Sequence, residues 1–230
     1  MSTAARLHLV RHAETLFNIR RQLQGWCDSP LTEHGERQVA ALGERMRDVP
    51  LTAAFMSDLT RTRTTMAAAL RHHPSIEPVP LVELREWNFG GFEGQPNDSL
   101  WDPVFSGLGA DYADVPGTWP AMTENGFDSL LDAIAAADPM GRAETGVQVR
   151  ERIESGLATV LRAVESGGDV LVVTHGSVMQ SILRHLVPAH RMLPGFPNCG
   201  VVTVEWADGA GTVGEVDASC SLPEPAAAAR

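Results

Sequence analysis

The short run Leu7-His8-Leu9-Val10 stops abruptly at Arg11-His12-Ala13-Glu14-Thr15. A largely apolar run of this length reads as a buried strand. Its end delivers a guanidinium and an imidazole to the carboxyl edge of a sheet, where open α/β folds hold their ligands. The pattern recurs. Val170 to Val173 is the clearest buried strand, and Thr174-His175-Gly176 leads from it into helical text at 177–187. Strands that end in chemistry-bearing residues and turn directly into helices constrain the fold more than any other feature of the chain.

Between these two strands the periodicity alternates. Thr32 is placed as an N-cap, and the segment 33–47 puts Val39, Leu42 and Met46 on one helical face. Residues 53–56 and 79–81 read as strands, and 59–72, 126–137 and 146–166 as helices, the last stopped by Gly167-Gly168. Segments 201–206 and 212–216 read as a late strand pair around Asp208-Gly209. The alternation predicts an α/β fold, a three-layer αβα sandwich with a mostly parallel central sheet. Residues 1–220 are expected to form a single domain. Within it, 93–145 is a cap insertion whose Pro- and Gly-rich part, 94–120, has little regularity. The Pro/Ala-rich residues 221–230 are expected to be a disordered tail.

Composition narrows the function. The chain of 230 residues is long enough for a substantial core, and no apolar run approaches the roughly 20 residues of a membrane span. No basic region followed by a long apolar stretch opens the chain, so a cytoplasmic protein without a membrane partner is expected. Cys27, Cys199 and Cys220 have no metal-binding spacing and are expected to be reduced thiols, with Cys27 a minor alternative as a nucleophile. The net charge of −11 argues against nucleic acid as a partner. All 18 basic residues are arginine. Without lysine, neither a Schiff base nor the lysine of a GxxxxGK[ST] phosphate loop is available. An anion site must use arginine, histidine and backbone amides.

Those groups gather at the predicted strand ends. The first supplies Arg11 and His12 with Asn18 close behind, the second Arg61 at the opening turn of a helix, and the last His175 and Gly176. Helix N-termini add unpaired amides and a positive dipole end. The set suits a phosphoryl group. A neutral imidazole attacks phosphorus if its other nitrogen donates to a backbone carbonyl, and bidentate arginine suits the non-bridging oxygens. His175 is expected to be cationic beside the phosphate. Glu86, with Glu93 as its rival, is the carboxyl for the acid role, its pKa raised by burial and a nearby dianion.

With these residues in place, the chain resembles the histidine phosphatase superfamily, its phosphoglycerate-mutase-like branch. The matching text is Leu9-Val10-Arg11-His12-Ala13-Glu14-Thr15 with Asn18, Gln24-Gly25-Trp26, and Pro30-Leu31-Thr32-Glu33-His34-Gly35. It continues through Ser57-x-Leu59-x-Arg61, the block from Leu84-x-Glu86 to Glu93-Gly94, and Val173-Thr174-His175-Gly176. The resemblance implies that His12 is phosphorylated in a covalent intermediate. It implies a phosphate pocket of Arg11, Asn18, Arg61 and His175, and Glu86 as proton donor and later base. Gln24 and the amides of Gly25 and Gly176 follow as further contacts. No metal or other cofactor is implied, and a homodimer is the assembly that relatives suggest. Ala13 departs from the pattern, where glycine is commoner.

Within the resemblance, the insertion separates two reactions. Its stretch from Glu93 to Thr145 carries Glu93, Asp98, Asp102, Asp111, Asp114, Glu124, Asp128, Asp132, Asp138 and Glu144 against the single base Arg142. An acidic lid repels a bisphosphorylated acid, and Trp101, Phe105, Tyr112, Trp119 and Phe127 favour a neutral, apolar or cationic leaving group unless they merely pack the insertion. The expectation is a phosphomonoester hydrolase acting on a small phosphorylated metabolite. The alternatives are a phosphoglycerate mutase or a weakly active phospholigand-binding module.

Overall fold

The computed structural model describes residues 5–107, 127–187, 195–207 and 209–217. The strand β1 (Ala5–Arg11) leads through α1 (Leu16–Ile19) and α2 (Glu33–Met46) to β2 (Leu51–Ser57), α3 (Thr60–Ala69) and β3 (Val79–Leu81). Then come α4 (Asn97–Gly107), α5 (Asp128–Ala137), α6 (Gly146–Glu165), β4 (Gly168–Thr174), α7 (Gly176–Leu186), β5 (Val201–Ala207) and β6 (Ala210–Asp217). These strands form one sheet in the order β3-β2-β4-β1-β5-β6. β3, β2, β4 and β1 run parallel, while β5 and β6 are antiparallel additions at one side. The expected α/β architecture is what the chain forms.

Alternation along each strand builds two cores. Leu7 and Leu9 of β1 and Val170 and Val172 of β4 pack with Val149, Ile153 and Leu157 of α6. Val10, Leu171 and Val173 face the other way, onto Val39, Leu42 and Met46 of α2 and Met66 of α3. Burying each such side chain contributes about 1.5–3 kcal/mol. Helices therefore cover both faces of the sheet, which is why its central strands read as nearly continuous apolar runs. The register then places the site. Arg11 pairs with Thr174 and Met56 with Val173, so β1, β4 and β2 end at one level. Among the described residues no helix is long and apolar enough to cross a membrane.

Most boundaries lie within a few residues of those expected. Thr32 caps α2, its hydroxyl accepting from the Gly35 amide at 2.9 Å. Gly167 and Gly168, at φ 89° and 94°, take the left-handed conformation that ends α6. One expectation is overturned: part of the supposedly irregular 94–120 segment is the helix α4. Leu100, Trp101, Val104 and Phe105 form a buried stripe along it, and Pro103 is carried inside the helix. Tertiary burial of two large aromatics outweighs the lost hydrogen bond and the clash that proline brings. The rest of that segment, the expected tail at 221–230, and Asp208 lie outside the described residues.

The described part of residues 93–145 also corrects the acidic-lid argument. Asp138 accepts from the amides of Gly91, Met140, Arg142 and Ala143. Glu144 pairs with Arg152 at 2.7 Å, Asp128 pairs with Arg150, and Asp132 accepts from the Gly146 amide at 2.9 Å. Half of the ten carboxylates, counting Glu93 described below, hold structure together and do not form an open negative field. Asp111, Asp114 and Glu124 lie outside the described residues. The aromatics divide similarly. Phe127 packs edge-on against Trp87, and Trp101 against Phe89 and Phe105, all in the core. Tyr112 and Trp119 are not among the described residues. Asp138→Ala is expected to cost about 2 kcal/mol, because it strips a charged acceptor from four amides. A thermal melt should register this as a fall of about 4–8 °C. An unchanged midpoint would mean that the 138–143 loop is held by other contacts.

Candidate active site

His12 follows the last residue of β1, and its amide still bonds to Thr174 O at 2.9 Å. Its Nδ1 lies 2.8 Å from Ala13 O. A carbonyl only accepts, so Nδ1 carries the proton and Nε2 carries the lone pair. Burial first, then the positive charges of Arg61 and Arg11, hold the ring well below the ordinary histidine value of 6.5. His12 is thus a neutral imidazole with its unprotonated Nε2 on the side away from the tether. The Ala13 methyl is buried in the α2/α3 core and the Ala13 amide bonds to Thr65 Oγ1 at 3.0 Å, so the departure from glycine is accommodated.

His175 ends the neighbouring strand as the N-cap of α7, and its ring centroid is 5.3 Å from that of His12. Arg61 Nη2 lies 3.1 Å from His175 Nδ1. A guanidinium only donates, so Nδ1 is unprotonated and Nε2 bears the hydrogen. Burial, then Arg61, His12 and Arg11, lower this pKa well below 6.5. In the site as it stands the ring is neutral and offers one N–H; the cationic state was an expectation for the ring beside a phosphate.

Arg61, 1% exposed, enters from the first turn of α3. Nη1 donates to Cys27 O and Asp28 Oδ1 at 2.8 and 2.7 Å; Nη2 gives one N–H to Gly25 O at 2.7 Å and shares the other between His175 Nδ1 and the more distant Gln24 O at 3.2 Å. It clasps the 24–28 loop while its Nε–H is left over. Arg11 donates from Nη1 to Phe196 O at 2.6 Å. Three buried donors, Arg11 Nε, Arg61 Nε and His175 Nε2, have no acceptor among the described residues. Buried N–H groups without acceptors are costly, and an oxyanion satisfies them together.

Glu86 lies in the loop beyond β3. Its Oε1 and Oε2 each accept an amide at 3.1 Å, from Trp87 and from Ser177 at the start of α7. Burial raises its pKa above the ordinary 4.5, against the opposing pull of those two amides and of Arg61 and Arg11. Its rival is placed otherwise. Glu93 accepts from the amides of Gly25, Trp26, Cys27 and Phe89 at 2.8–3.1 Å and latches two loops together. The same latch consumes the Gly25 amide that had been expected to contact phosphate. A Cβ at Gly25 would stand 2.0 Å from Trp87 O, which is why the latch needs glycine there. Cys27 is no nucleophile: burial and Glu93 push its thiol up to about 12.

Asn18 Oδ1 accepts from the Thr15 amide at 3.1 Å, which fixes the other end of its amide as the donor Nδ2. Gln24 is buried and spent on Thr15 Oγ1 and Ser29 Oγ at 2.6 and 3.1 Å, so it supports the loop. Gly176 lies against Arg11, where even a Cβ would sit 3.6 Å from Nε.

Two groups escape sequence reading. Arg152 of α6 donates to the carbonyls of Glu83, Arg85 and Glu86 at 2.8–3.2 Å and fixes the Glu86 loop. Asn198 lies beside His12 and Asn18. Neither stands in a motif, and the 186 residues between His12 and Asn198 leave no local signal.

An α/β sheet whose carboxyl edge holds a tethered neutral imidazole, two guanidiniums and a buried carboxyl presents a site fitted to an oxyanion such as phosphate. Residues 7–218 match the histidine phosphatase superfamily (branch 1), and the chain belongs to that superfamily. It is 32% identical over 207 residues to the probable phosphoglycerate mutase GpmB of Klebsiella pneumoniae (strain 342), covering 87% of this chain and 84% of that one. The crystal structure of phosphoglycerate mutase from Bacillus anthracis str. Sterne superposes with a TM-score of 0.81 at 30% identity, over 95% of each chain. A putative alpha-ribazole-5'-P phosphatase from Escherichia coli K-12 shares the fold, with a TM-score of 0.71 at 20% identity over 96% and 100% of the two chains.

Proposed function

We propose that the protein is a phosphomonoester hydrolase working through a phosphohistidine at His12. The observation that carries this reading is the His12 ring, held by one nitrogen at Ala13 O and set among buried N–H donors that lack acceptors. In the first step His12 Nε2 bonds to phosphorus as the bond to the leaving oxygen breaks. Glu86 gives that oxygen its proton. In the second, water attacks phosphorus, the P–N bond breaks, and Glu86 takes back the water proton. Arg11 Nε, Arg61 Nε, His175 Nε2 and Asn18 Nδ2 hold the non-bridging oxygens as charge redistributes.

Hydrolysis is favoured over transfer between two oxygens of a bisphosphorylated acid by the state of the nearby cations. Arg85 is bound bidentately to Asp58 at 2.6 Å, and Arg152 to Glu144. In a chain without lysine, and apart from Arg11 and Arg61 of the pocket, these two cations flank Glu86 among the described residues, and each is already neutralised. The names of the relatives favour the second reading, a mutase. Release of inorganic phosphate from p-nitrophenyl phosphate well above any interconversion of 2- and 3-phosphoglycerate is expected. Fast interconversion with negligible phosphate release would transfer the assignment to the mutase. A small phosphorylated metabolite, in place of a nucleic acid, also fits the net charge of −11.

The pH profile follows from the two shifts. His12 must be neutral, and its lowered pKa sets the acid limb below 6.5. Glu86 must be protonated, and its raised pKa sets the alkaline limb above 4.5. On an alkyl phosphate, the ratio of wild-type to Glu86→Gln kcat/KM cancels substrate ionisation. It is expected to fall as pH rises through the Glu86 pKa. A ratio independent of pH would remove Glu86 from the acid role.

A further inference from the structure

We infer that Asn198 is a positioning residue for the phosphoryl-transfer step, a claim that rests on His12 being the nucleophile. Its Nδ2 lies 2.9 Å from His12 O and 3.1 Å from Asn18 Oδ1. Both are acceptors. His12 O is a carbonyl, and the Thr15 amide fixes the Asn18 oxygen in the same direction at 3.1 Å. One amide nitrogen therefore spends both of its protons on two elements of the site. The first bond holds the backbone of the nucleophile. The second joins the Thr15 amide in holding Asn18 by its oxygen, which keeps its own Nδ2 available to donate to the phosphoryl group in the proposed mechanism.

The segment carrying Asn198 is built around this contact. Arg11 Nη1 and the Arg11 amide donate to Phe196 O and Gly200 O at 2.6 and 3.2 Å. The Cys199 amide returns a bond to Arg11 O at 3.0 Å and approaches His12 O at 3.3 Å. The turn closes with Gly200 N on Pro197 O at 2.9 Å and forces Cys199 to φ 57°, a left-handed conformation that side chains other than glycine resist. Backbone strain of this kind persists where surrounding contacts over-determine it, and here those contacts converge on Arg11 and His12. The turn is a clamp, and Asn198 is its only side chain that reaches both His12 and Asn18 among the described residues.

The donor role separates two substitutions that a packing role would not. Asn198→Asp keeps the shape but sets a carboxylate against two acceptors. Asn198→Ala removes the donor without adding charge. Rapid-quench measurement of phosphoenzyme formation from p-nitrophenyl phosphate should give about a 10²-fold loss for Asn198→Ala. The loss should be larger for Asn198→Asp at neutral pH. The ratio of the Asp to the Ala variant should then rise on acidification, as the introduced carboxyl takes up a proton and regains one donor. Thermal melts of both variants accompany the kinetics. Should Asn198→Asp fail to fold, Asn198→Ala carries the test by its rate alone. Wild-type rates in either variant, or equal losses in both at every pH, overturn the assignment. A wild-type protein that turns over without any phosphoenzyme instead counts against His12 as nucleophile.

Discussion

His12→Ala is expected to lower kcat by about 10⁴-fold or more and to abolish the acid-labile, base-stable phosphoenzyme. The magnitude follows from what the ring does. In the proposed mechanism its Nε2 is the atom to which phosphorus bonds, and neither His175 nor Cys27 can replace it. His175 has its Nδ1 occupied by Arg61 and presents only an N–H. Cys27 is held as a thiol, its pKa pushed up to about 12. The fold should survive the substitution, because the His12 backbone bonds to Thr174 O and Asn198 do not involve the ring. Rapid quench with labelled substrate is the direct measurement. Undiminished phosphatase activity in His12→Ala would end the covalent reading.

The second large effect is selective. Glu86→Gln should slow esters with poor alkoxide leaving groups by about 10²–10³-fold and activated aryl esters only a few-fold. The carboxyl is poised by opposing influences: burial raises its pKa, while two amides and the charges of Arg61 and Arg11 restrain the rise. Glutamine keeps the shape and an acceptor for the Ser177 amide but has no proton to give. A plot of rate against leaving-group pKa should therefore steepen in the variant. Parallel lines for wild type and variant would assign the proton to another donor. Glu93 is not that donor, since its four amide bonds hold the Gly25 loop and tie up both oxygens.

The legible part of this molecule was local. Strand β1 and its Arg11-His12 terminus, strand β4 and its Thr174-His175 terminus, and the Thr32 cap all sit within a few residues of their own signals. The helix α4 was hidden because Pro103 and neighbouring glycines outvote its apolar stripe unless the partners of Trp101 and Phe105 are known. The acidic insertion misled for a related reason. Charge counted along a chain does not reveal that Asp138 serves four amides or that Glu144 neutralises Arg152. The tautomer of His175 was not legible because it is set by Arg61, 114 residues away.

By itself, the order of residues determined the layered α/β architecture and put Arg11, His12, Arg61 and His175 at strand and helix ends, since periodicity and strand-end chemistry act over a handful of neighbours. Only the folded arrangement decided that Glu93 latches the 25–27 loop, that Arg61 sets the His175 tautomer, and that Asn198 and Arg152 hold the site together. Those outcomes depend on hydrogen bonds between groups 66 to 186 residues apart, whose donors and acceptors have no preference until the sheet brings them within about 3 Å.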